Sequence, residues 1–292
     1  MIEENVIYNE DCVLTMERLY LAGQEVDLVV TSPPYDDIRS YEGTLDWDFE
    51  AVAEGLFDVL AEGGVVVWVV GDQIKDYSET GTSFRQALRF MEFGFKLHQT
   101  MIYSKDSGFK PDRTRYNRSM EYMFVLSKGR PKTINLIKDK PNKHAGAARN
   151  SSTLRQRDGT MKPGTPTVIH EKGTRSSIWE YQVGHMKTTT DKVAYEHPAI
   201  FPERLVRDHI LSWSNKGDLV YDPFCGAGTT PKVARNLNRR FIGSEIVPKY
   251  CEIANKRLSK ADVFDPDAER DYIYRVDIPE SEQKHTKMEE TI

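Results

Sequence analysis

The sequence predicts an α/β fold: a doubly wound, mainly parallel sheet with helices on both faces. Two observations support this fold class. Short apolar runs that are typical of buried strands alternate with segments of helical period. In addition, two loops of turn-forming residues, at 31–35 and 222–230, each directly follow an apolar run. Open α/β sheets bind their ligands in such loops, at the carboxyl ends of the strands.

The first part of the chain, residues 1–127, alternates between predicted strands and helices. Gly63 and Gly64 follow a helical segment and are predicted to stop it, and Gly94 ends the next helix. The predicted elements are a strand at 26–30, a helix at 48–61, a strand at 65–70, a helix at 83–93, and strands at 97–103 and 121–126.

Residues 128–195 have a different character. They contain 14 Lys or Arg and 5 Asp or Glu, whereas the whole chain has a formal net charge of −5. Turn-forming residues are frequent and periodicity is nearly absent, which predicts an inserted, loop-rich basic module. A disordered surface insertion is the alternative. Trp179 and Tyr181 argue against it because they offer apolar surface for packing, and we expect them to pack the module.

Regular alternation returns over residues 196–260. Leu205, Ile210 and Leu211 predict an amphipathic helix after Pro202. The elements predicted beyond it are a strand at 219–221, a helix at 230–237, a strand at 240–244 and a helix at 248–258. Residues 261–292 are predicted to form a charged tail, in which 272–274 are a candidate short strand.

Composition excludes several classes of protein. The chain has 292 residues, of which 39% are hydrophobic and 29% charged, and no apolar stretch has the length of a membrane span. The N-terminus is acidic and lacks the apolar segment of a secretion signal, so we expect a cytoplasmic protein. Cys12, Cys225 and Cys251 have no spacing typical of zinc ligands or disulfides, and the sequence predicts no metal site.

The loop DPFCGAGTT at 222–230 contains residues suited to close approach of a ligand. Gly226 and Gly228 can adopt positive φ and expose backbone N–H groups, and Thr229 or Thr230 can cap the next helix. Glu245 lies about 20 residues farther on, a spacing at which an acidic side chain accepts hydrogen bonds from ribose hydroxyls. On this spacing alone, a dinucleotide is as good a ligand as another nucleoside cofactor.

The loop TSPPY at 31–35 is predicted to be rigid. Pro33 and Pro34 fix φ at two consecutive positions, and Ser32 is excluded from the helical region because it precedes a proline. Rigid placement of polar atoms is what orientation-dependent catalysis requires. A proline turn that simply ends a strand is the alternative interpretation of the same residues.

Together, the two motifs and their order resemble the amino-methyltransferases of DNA, in particular the permuted (β-class) group in which the catalytic half precedes the cofactor half. The resemblance covers about 1–130 and 195–260 and implies a circularly permuted, Rossmann-like fold that binds S-adenosylmethionine. The cofactor residues that it implies are Asp11, Thr31, Pro202, Asp222, Pro223, Phe224, Gly226, Gly228, Thr229 and Glu245.

The resemblance also implies a catalytic role for Ser32, Pro33, Pro34 and Tyr35. The exocyclic amine of a nucleobase is a poor nucleophile because its lone pair is delocalised into the ring. Hydrogen bonds from the amine to Ser32 Oγ and to the Pro33 carbonyl would return electron density to nitrogen and aim it at the methyl group. Tyr35 would stack on the base after it leaves the duplex.

In the resembling group, a target-recognition region occupies the position of residues 128–195. We therefore expect this module to contact double-stranded DNA, with cations that bind phosphates. The candidate DNA-binding residues are Arg149, Arg155, Arg157, Lys162 and Arg175. A companion restriction endonuclease and a homodimer are open questions at this point.

The resemblance favours cytosine N4 as the methylated atom because related loops with serine at the position of Ser32 mostly belong to cytosine-N4 enzymes. Adenine N6 is the alternative. Methylation of cytosine C5 is not expected, since that reaction uses a cysteine nucleophile after a proline and no cysteine here follows one. A protein or RNA methyltransferase and a catalytically inactive DNA-binding homologue are more distant alternatives.

Overall fold

The computed structural model describes residues 1–34, 47–106, 113–149, 153–163 and 167–259. Eight strands of these ranges form one sheet. They are β1 (Val6–Tyr8), β2 (Val26–Thr31), β3 (Leu60–Val70), β4 (Lys96–Lys105), β5 (Met120–Ser127), β6 (Ile178–Tyr181), β7 (Leu219–Asp222) and β8 (Arg240–Ser244).

The order of strands in this sheet is β1-β8-β7-β2-β3-β5-β4-β6. Five of the seven neighbouring pairs are parallel, and only β5 runs antiparallel to its neighbours β3 and β4. The prediction of a mainly parallel sheet is therefore confirmed. The order also makes β2 and β7 neighbours, so that the two motif loops leave the sheet side by side at the same edge.

In the described part of the chain, six α-helices cover the two faces of the sheet. They are α1 (Cys12–Leu21), α2 (Phe49–Val59), α3 (Thr82–Glu92), α4 (Glu203–Trp213), α5 (Thr229–Asn236) and α6 (Pro248–Ser259). The alternation of side chains along β3 shows how the sheet divides the core. Val67 faces the cluster beneath α4, α5 and α6, whereas Trp68 faces the cluster beneath α1, α2 and α3.

The end of the helix predicted at 48–61 was wrong. The helix ends at Val59, and the extended backbone of Leu60 begins β3 without an intervening loop. Leu60 is fully buried and pairs with Val26, so its burial favours the strand. Gly63 lies within β3 at a φ of 75°, next to a register shift against β2, and its N–H donates to the Lys128 carbonyl at 2.7 Å.

Between β5 and β6 the chain forms short antiparallel pairs. They join Lys140–Pro141 to Lys172–Gly173, Ala148–Arg149 to Thr167–Val168, and Thr153–Arg155 to Met161–Pro163. β6 itself is an edge strand of the main sheet, and its Trp179 and Tyr181 are buried in the main core, not in a separate module.

The boundaries proposed for the module and its neighbours stay a prediction. The predicted tail at 261–292, with its candidate strand at 272–274, lies outside the described residues. No helix within the described ranges is long and apolar enough to span a membrane.

Candidate functional site

A cavity of about 800 Å³ opens at the edge of the sheet where β2 and β7 end. Both motif loops line it, together with the ends of β4 and β5 and the segment that precedes α4. Predicted site residues that line the cavity are Asp11, Ser32, Pro34, Pro202, Asp222, Pro223, Phe224, Gly226, Thr229 and Glu245. The fold thus brings the two loops, about 190 residues apart in sequence, to one site.

Glycine is required at two positions of the second loop for different reasons. Gly226 has a φ of 50° and lines the cavity, and a Cβ added there would lie 3.0 Å from His197 Nε2. Gly228 has a φ of 75° and does not line the cavity, and an added Cβ would lie 2.7 Å from Ala254 Cβ. Gly228 therefore allows α5 to pack closely against α6, whereas Gly226 shapes the site.

Asp222 connects the two loops. Its Oδ1 atom accepts hydrogen bonds from Thr31 Oγ1 at 2.7 Å and from the Phe224 N–H at 3.1 Å. Burial raises the pKa of this carboxyl to about 6. A second link runs from Thr230 Oγ1 to the Val30 carbonyl at 3.0 Å. Thr31 lies behind the cavity lining, so it supports the site through Asp222.

Glu245, which follows β8, presents a buried carboxylate to the cavity. Its Oε2 accepts a hydrogen bond from the Gly226 N–H at 2.7 Å, and its Oε1 accepts one from the Val247 N–H at 2.9 Å. Burial raises the pKa of this carboxyl. Each carboxylate oxygen has two acceptor positions, so the backbone contacts orient Glu245 and leave acceptor capacity for ligand hydroxyls.

Other predicted cofactor residues have structural contacts as well. Asp11 caps α1, because its Oδ1 accepts a hydrogen bond from the Val13 N–H at 2.8 Å. Thr229 Oγ1 accepts one from Arg257 Nη1 at 3.1 Å. Pro202 is the residue directly before α4. The proposed contacts of these side chains with a cofactor stay predictions.

In the first loop, Ser32 and Pro34 line the cavity, while Pro33 is buried beside them. The Pro34 carbonyl accepts a hydrogen bond from Trp47 Nε1 at 3.0 Å. Tyr35 lies outside the described residues, so its proposed stacking role stays a prediction.

Sequence reasoning missed Trp47 and His197. The Trp47 ring packs edge-on against Phe224, with centroids 5.0 Å apart, so this residue contacts both loops at once. His197 lines the cavity beside Gly226 and packs edge-on against Tyr250, with ring centroids 4.3 Å apart. Neither residue has a spacing signal in the sequence, although His197 begins the cavity-lining segment 197–202 that precedes α4.

A cluster of ion pairs holds that segment against the glycine loop. Arg257 is fully buried and donates to Glu203 Oε1 at 2.6 Å, to Asp191 Oδ2 at 3.1 Å and to the Ala227 carbonyl. Lys232 Nζ lies 2.9 Å from Glu203 Oε1. Because Asp191 and Glu203 flank the cavity-lining residues 197–202, the cluster fixes this wall of the cavity.

The predicted DNA-binding residues fall into two groups. Arg155, Arg157 and Lys162 are exposed on or beside the hairpin that pairs Thr153–Arg155 with Met161–Pro163, and Arg149 is in the neighbouring strand pair. For these four residues the contact with DNA stays a prediction.

Arg175 differs from these four residues because it has partners within the protein. Its guanidinium forms ion pairs with Asp139 and Asp208 and lies 5.1 Å from the centre of the Trp179 ring. These partners hold the side chain in place, and for Arg175 too the contact with DNA stays a prediction. Arg175 therefore attaches the base of the module to the main core.

No three His, Cys, Asp or Glu side chains within the described ranges are grouped so that they could hold a metal ion. The three cysteines are buried and unpaired, and burial raises the pKa of Cys251 to about 11. The polar groups that line the cavity are carboxylates, hydroxyls, backbone groups, two histidines, one lysine, the Trp47 indole and the thiols of Cys12 and Cys225.

Comparison with known proteins places the chain among DNA methylases. A family model described as DNA methylase, of the N6/N4 type, matches residues 26–256. The orphan methyltransferase M.BamHII of Bacillus amyloliquefaciens is 55% identical over 235 residues, which cover 80% of this chain and 88% of that protein.

Two solved structures show the same fold. The cytosine-N4-specific PvuII DNA methyltransferase has a TM-score of 0.61 at 19% identity and covers 92% of this chain and 90% of its own. The complex of M1.HpyAVI with SAM has a TM-score of 0.59 at 20% identity and covers 87% of this chain and 98% of its own.

Proposed function

Because the chain belongs to the N6/N4 family of DNA methylases, we propose that it transfers a methyl group from S-adenosylmethionine to the exocyclic amine of a base in double-stranded DNA. We further propose that the base is cytosine and the acceptor atom N4. The observation that carries the proposal is the single cavity lined by both loops, with Asp222 joined to Thr31 between them.

The residues at one end of the cavity suit S-adenosylmethionine. Glu245 supplies an oriented carboxylate for the ribose hydroxyls, and Asp222 supplies a second carboxylate beside the glycine loop. Phe224 supplies an aromatic ring, which attracts a sulfonium cation. A volume of about 800 Å³ is at the upper part of the range for small-molecule sites and has room for a cofactor and a base.

S-adenosylmethionine supplies a methyl group on a positively charged sulfur. The protein's task is then to orient the acceptor amine and to accept hydrogen bonds from its N–H groups. Ser32 Oγ and the Pro33 carbonyl are the proposed acceptors, and two prolines and the Trp47 hydrogen bond hold their loop. As the nitrogen forms its bond to the methyl carbon, the carbon–sulfur bond would break, and its electron pair would leave with the neutral sulfur of S-adenosylhomocysteine. The nitrogen would gain positive charge, which these oxygens stabilise until one N–H proton is lost to water.

We prefer cytosine to adenine because of Ser32. Among the enzymes that this chain resembles, those with serine at the position of Ser32 mostly act on cytosine N4. Serine and aspartate can both accept a hydrogen bond from an amine. Adenine N6 is therefore the second candidate, and the test of the base must be chemical.

A transfer assay with isotopically labelled S-adenosylmethionine tests the class of acceptor. We expect label to enter unmethylated duplex DNA but neither RNA nor protein. Glu245→Ala should weaken cofactor binding by roughly 10- to 150-fold, the loss expected for a charge-assisted hydrogen bond. Label in RNA or protein would contradict the proposed acceptor. Unchanged cofactor affinity of folded Glu245→Ala would contradict the proposed role of Glu245 in cofactor binding.

A further inference from the structure

The cavity extends well beyond the residues assigned to the cofactor. Its far end is lined by Tyr103 and Lys105 of β4, by Glu121 of β5 and by Val183 and His185, which follow β6. Strand spacing of about 4.8 Å places β5 about 14 Å and β4 about 19 Å from β7, where Asp222 binds the glycine loop. Ser32, at the end of β2, lies between the two ends. The far end is therefore on the acceptor side of the catalytic loop.

Lys105 and Glu121 form an ion pair at this end. Their side chains are 26% and 15% exposed, and the Lys105 ammonium also lies 5.3 Å from the centre of the buried Tyr103 ring. Withdrawing two charges from water is costly, and apolar residues often stabilise a fold at least as well as such a pair. A pair that lines a cavity is better explained by a ligand that it recognises.

The surroundings hold this pair in place. Tyr103 pairs with Glu121 across β4 and β5, and the Lys105 N–H donates to the Ser119 carbonyl at 2.7 Å. The Asp106 carboxylate accepts a hydrogen bond from the Val183 N–H at 2.9 Å, which fixes the segment after β6 against the end of β4. The pair is thus built on strands and is not carried by a mobile side chain alone.

We infer that Lys105, oriented by Glu121, binds the ring nitrogen N3 and the carbonyl O2 of the target cytosine. This inference rests on the proposed function. With the amine directed to Ser32 and Pro33, the remaining groups on that edge of cytosine are acceptors. An ammonium has three N–H donors, and within the described part of the chain Glu121 is the one ion-pair partner of Lys105.

The charge balance of the pair agrees with this role. The cytosine gains positive charge as its amine is methylated, and an isolated lysine next to the ring would oppose that change. Glu121 neutralises Lys105, so the pair can donate hydrogen bonds with little net electrostatic repulsion. Lys105 touches the base in this assignment, while Glu121 acts through Lys105 and is a positioning residue.

The test compares Lys105→Met with wild type on two duplexes at the mapped target. One carries cytosine and the other carries 3-deazacytosine, in which a C–H group replaces N3. Wild type should prefer cytosine by about tenfold or more in kcat/KM. In Lys105→Met, kcat/KM on cytosine should fall by roughly 10- to 150-fold. The ratio of kcat/KM on cytosine to that on 3-deazacytosine should then lie within about twofold of unity. Glu121→Gln should reduce the preference without abolishing it, and cofactor affinity should stay unchanged in both variants.

Lys132→Met is the matched control, since Lys132 pairs with Asp27 away from the cavity lining. It should keep the wild-type preference. If wild type methylates cytosine and Lys105→Met retains the full preference, the role of Lys105 is wrong while the proposed function stands. If Lys105→Met does not fold, an unchanged preference in Glu121→Gln overturns the inference. Methylation of adenine, or of no base, by wild type would overturn both.

Discussion

At the scale of single residues, Asp222 is a buried carboxyl in the cavity where we propose that the cofactor binds. The carboxyl accepts hydrogen bonds from Thr31 and Phe224, yet burial raises its pKa to about 6. We propose that Asp222 contacts the methionine end of S-adenosylmethionine, which carries an ammonium group. A bound cation favours the ionised carboxylate and lowers its pKa.

This pKa shift predicts a pH dependence of cofactor binding. The carboxyl must lose its proton to pair with the ammonium, so affinity should rise as the pH passes upward through about 6. We expect S-adenosylmethionine to bind about tenfold more tightly at pH 7 than at pH 5, measured by calorimetric titration. Asp222→Asn, which keeps an oxygen for Thr31 and Phe224, should show a much flatter profile. Identical profiles would remove Asp222 from the cofactor site.

Sequence reasoning located residues whose roles follow from local chain geometry. Gly226 and Glu245 were found because a tight loop and an acidic residue have a known spacing, and the structure joins them by a 2.7 Å hydrogen bond. Trp47 was missed, and the ion pairs of Arg175 were not foreseen, because these contacts depend on distant partners. A basic composition cannot show that Asp139 and Asp208 already neutralise Arg175.

At the scale of elements, the glycine loop determines how closely α5 and α6 pack. Gly228 combines a φ of 75° with a site where an added Cβ would lie 2.7 Å from Ala254 Cβ. Gly217 has a similar φ of 87° but open space around it. These two glycines therefore separate the cost of backbone strain from the cost of a collision between helices.

We expect Gly217→Ala to lower the free energy of unfolding by about 1–2 kcal/mol, the penalty for a side chain in the left-handed region. Gly228→Ala should lower it by about 1–3 kcal/mol more, because α6 must also shift. Denaturant unfolding of the two variants beside wild type measures both values. Equal losses would show that contact with Ala254 does not constrain Gly228.

Element types were predictable where the chain has strong periodicity or clear end signals, but the end of α2 and the elements β1, α1 and β6 were not predicted. The end of α2 was misplaced because Leu60 is drawn into the sheet by its pairing with Val26. The short run Ile178–Tyr181 joins the edge of the main sheet through parallel pairing with β4. Parallel pairing with a strand some 75 residues earlier leaves no local signal in the sequence.

At the scale of the whole molecule, the basic module is attached at two places. The pairing of Lys140–Pro141 with Lys172–Gly173 closes its base, and Arg175 ties that base to the core through Asp208. The exposed cations Arg155, Arg157 and Lys162 lie beyond this base. The part that we propose contacts DNA can therefore be removed without cutting into the core.

Replacing residues 143–170 with a short glycine-containing turn should preserve folding and cofactor affinity, because the base and Arg175 remain. DNA affinity should fall. The slope of log affinity against log salt concentration should become shallower by about 0.9 for each phosphate that the variant no longer neutralises. Fluorescence titration of duplex DNA over a series of salt concentrations measures both effects. If this variant binds and methylates the same sites as wild type, DNA recognition lies elsewhere in the chain.

The measurement that tests the central claim most directly is the identity of the methylated nucleoside. Unmethylated duplex DNA would be incubated with the protein and S-adenosylmethionine carrying a trideuterated methyl group, digested to nucleosides and analysed by mass spectrometry against authentic standards. We predict labelled N4-methyldeoxycytidine, absent when Ser32→Ala replaces the wild type. Label on adenine N6 or on cytosine C5 would contradict the assignment of the base, and the absence of any labelled nucleoside would contradict the proposed function.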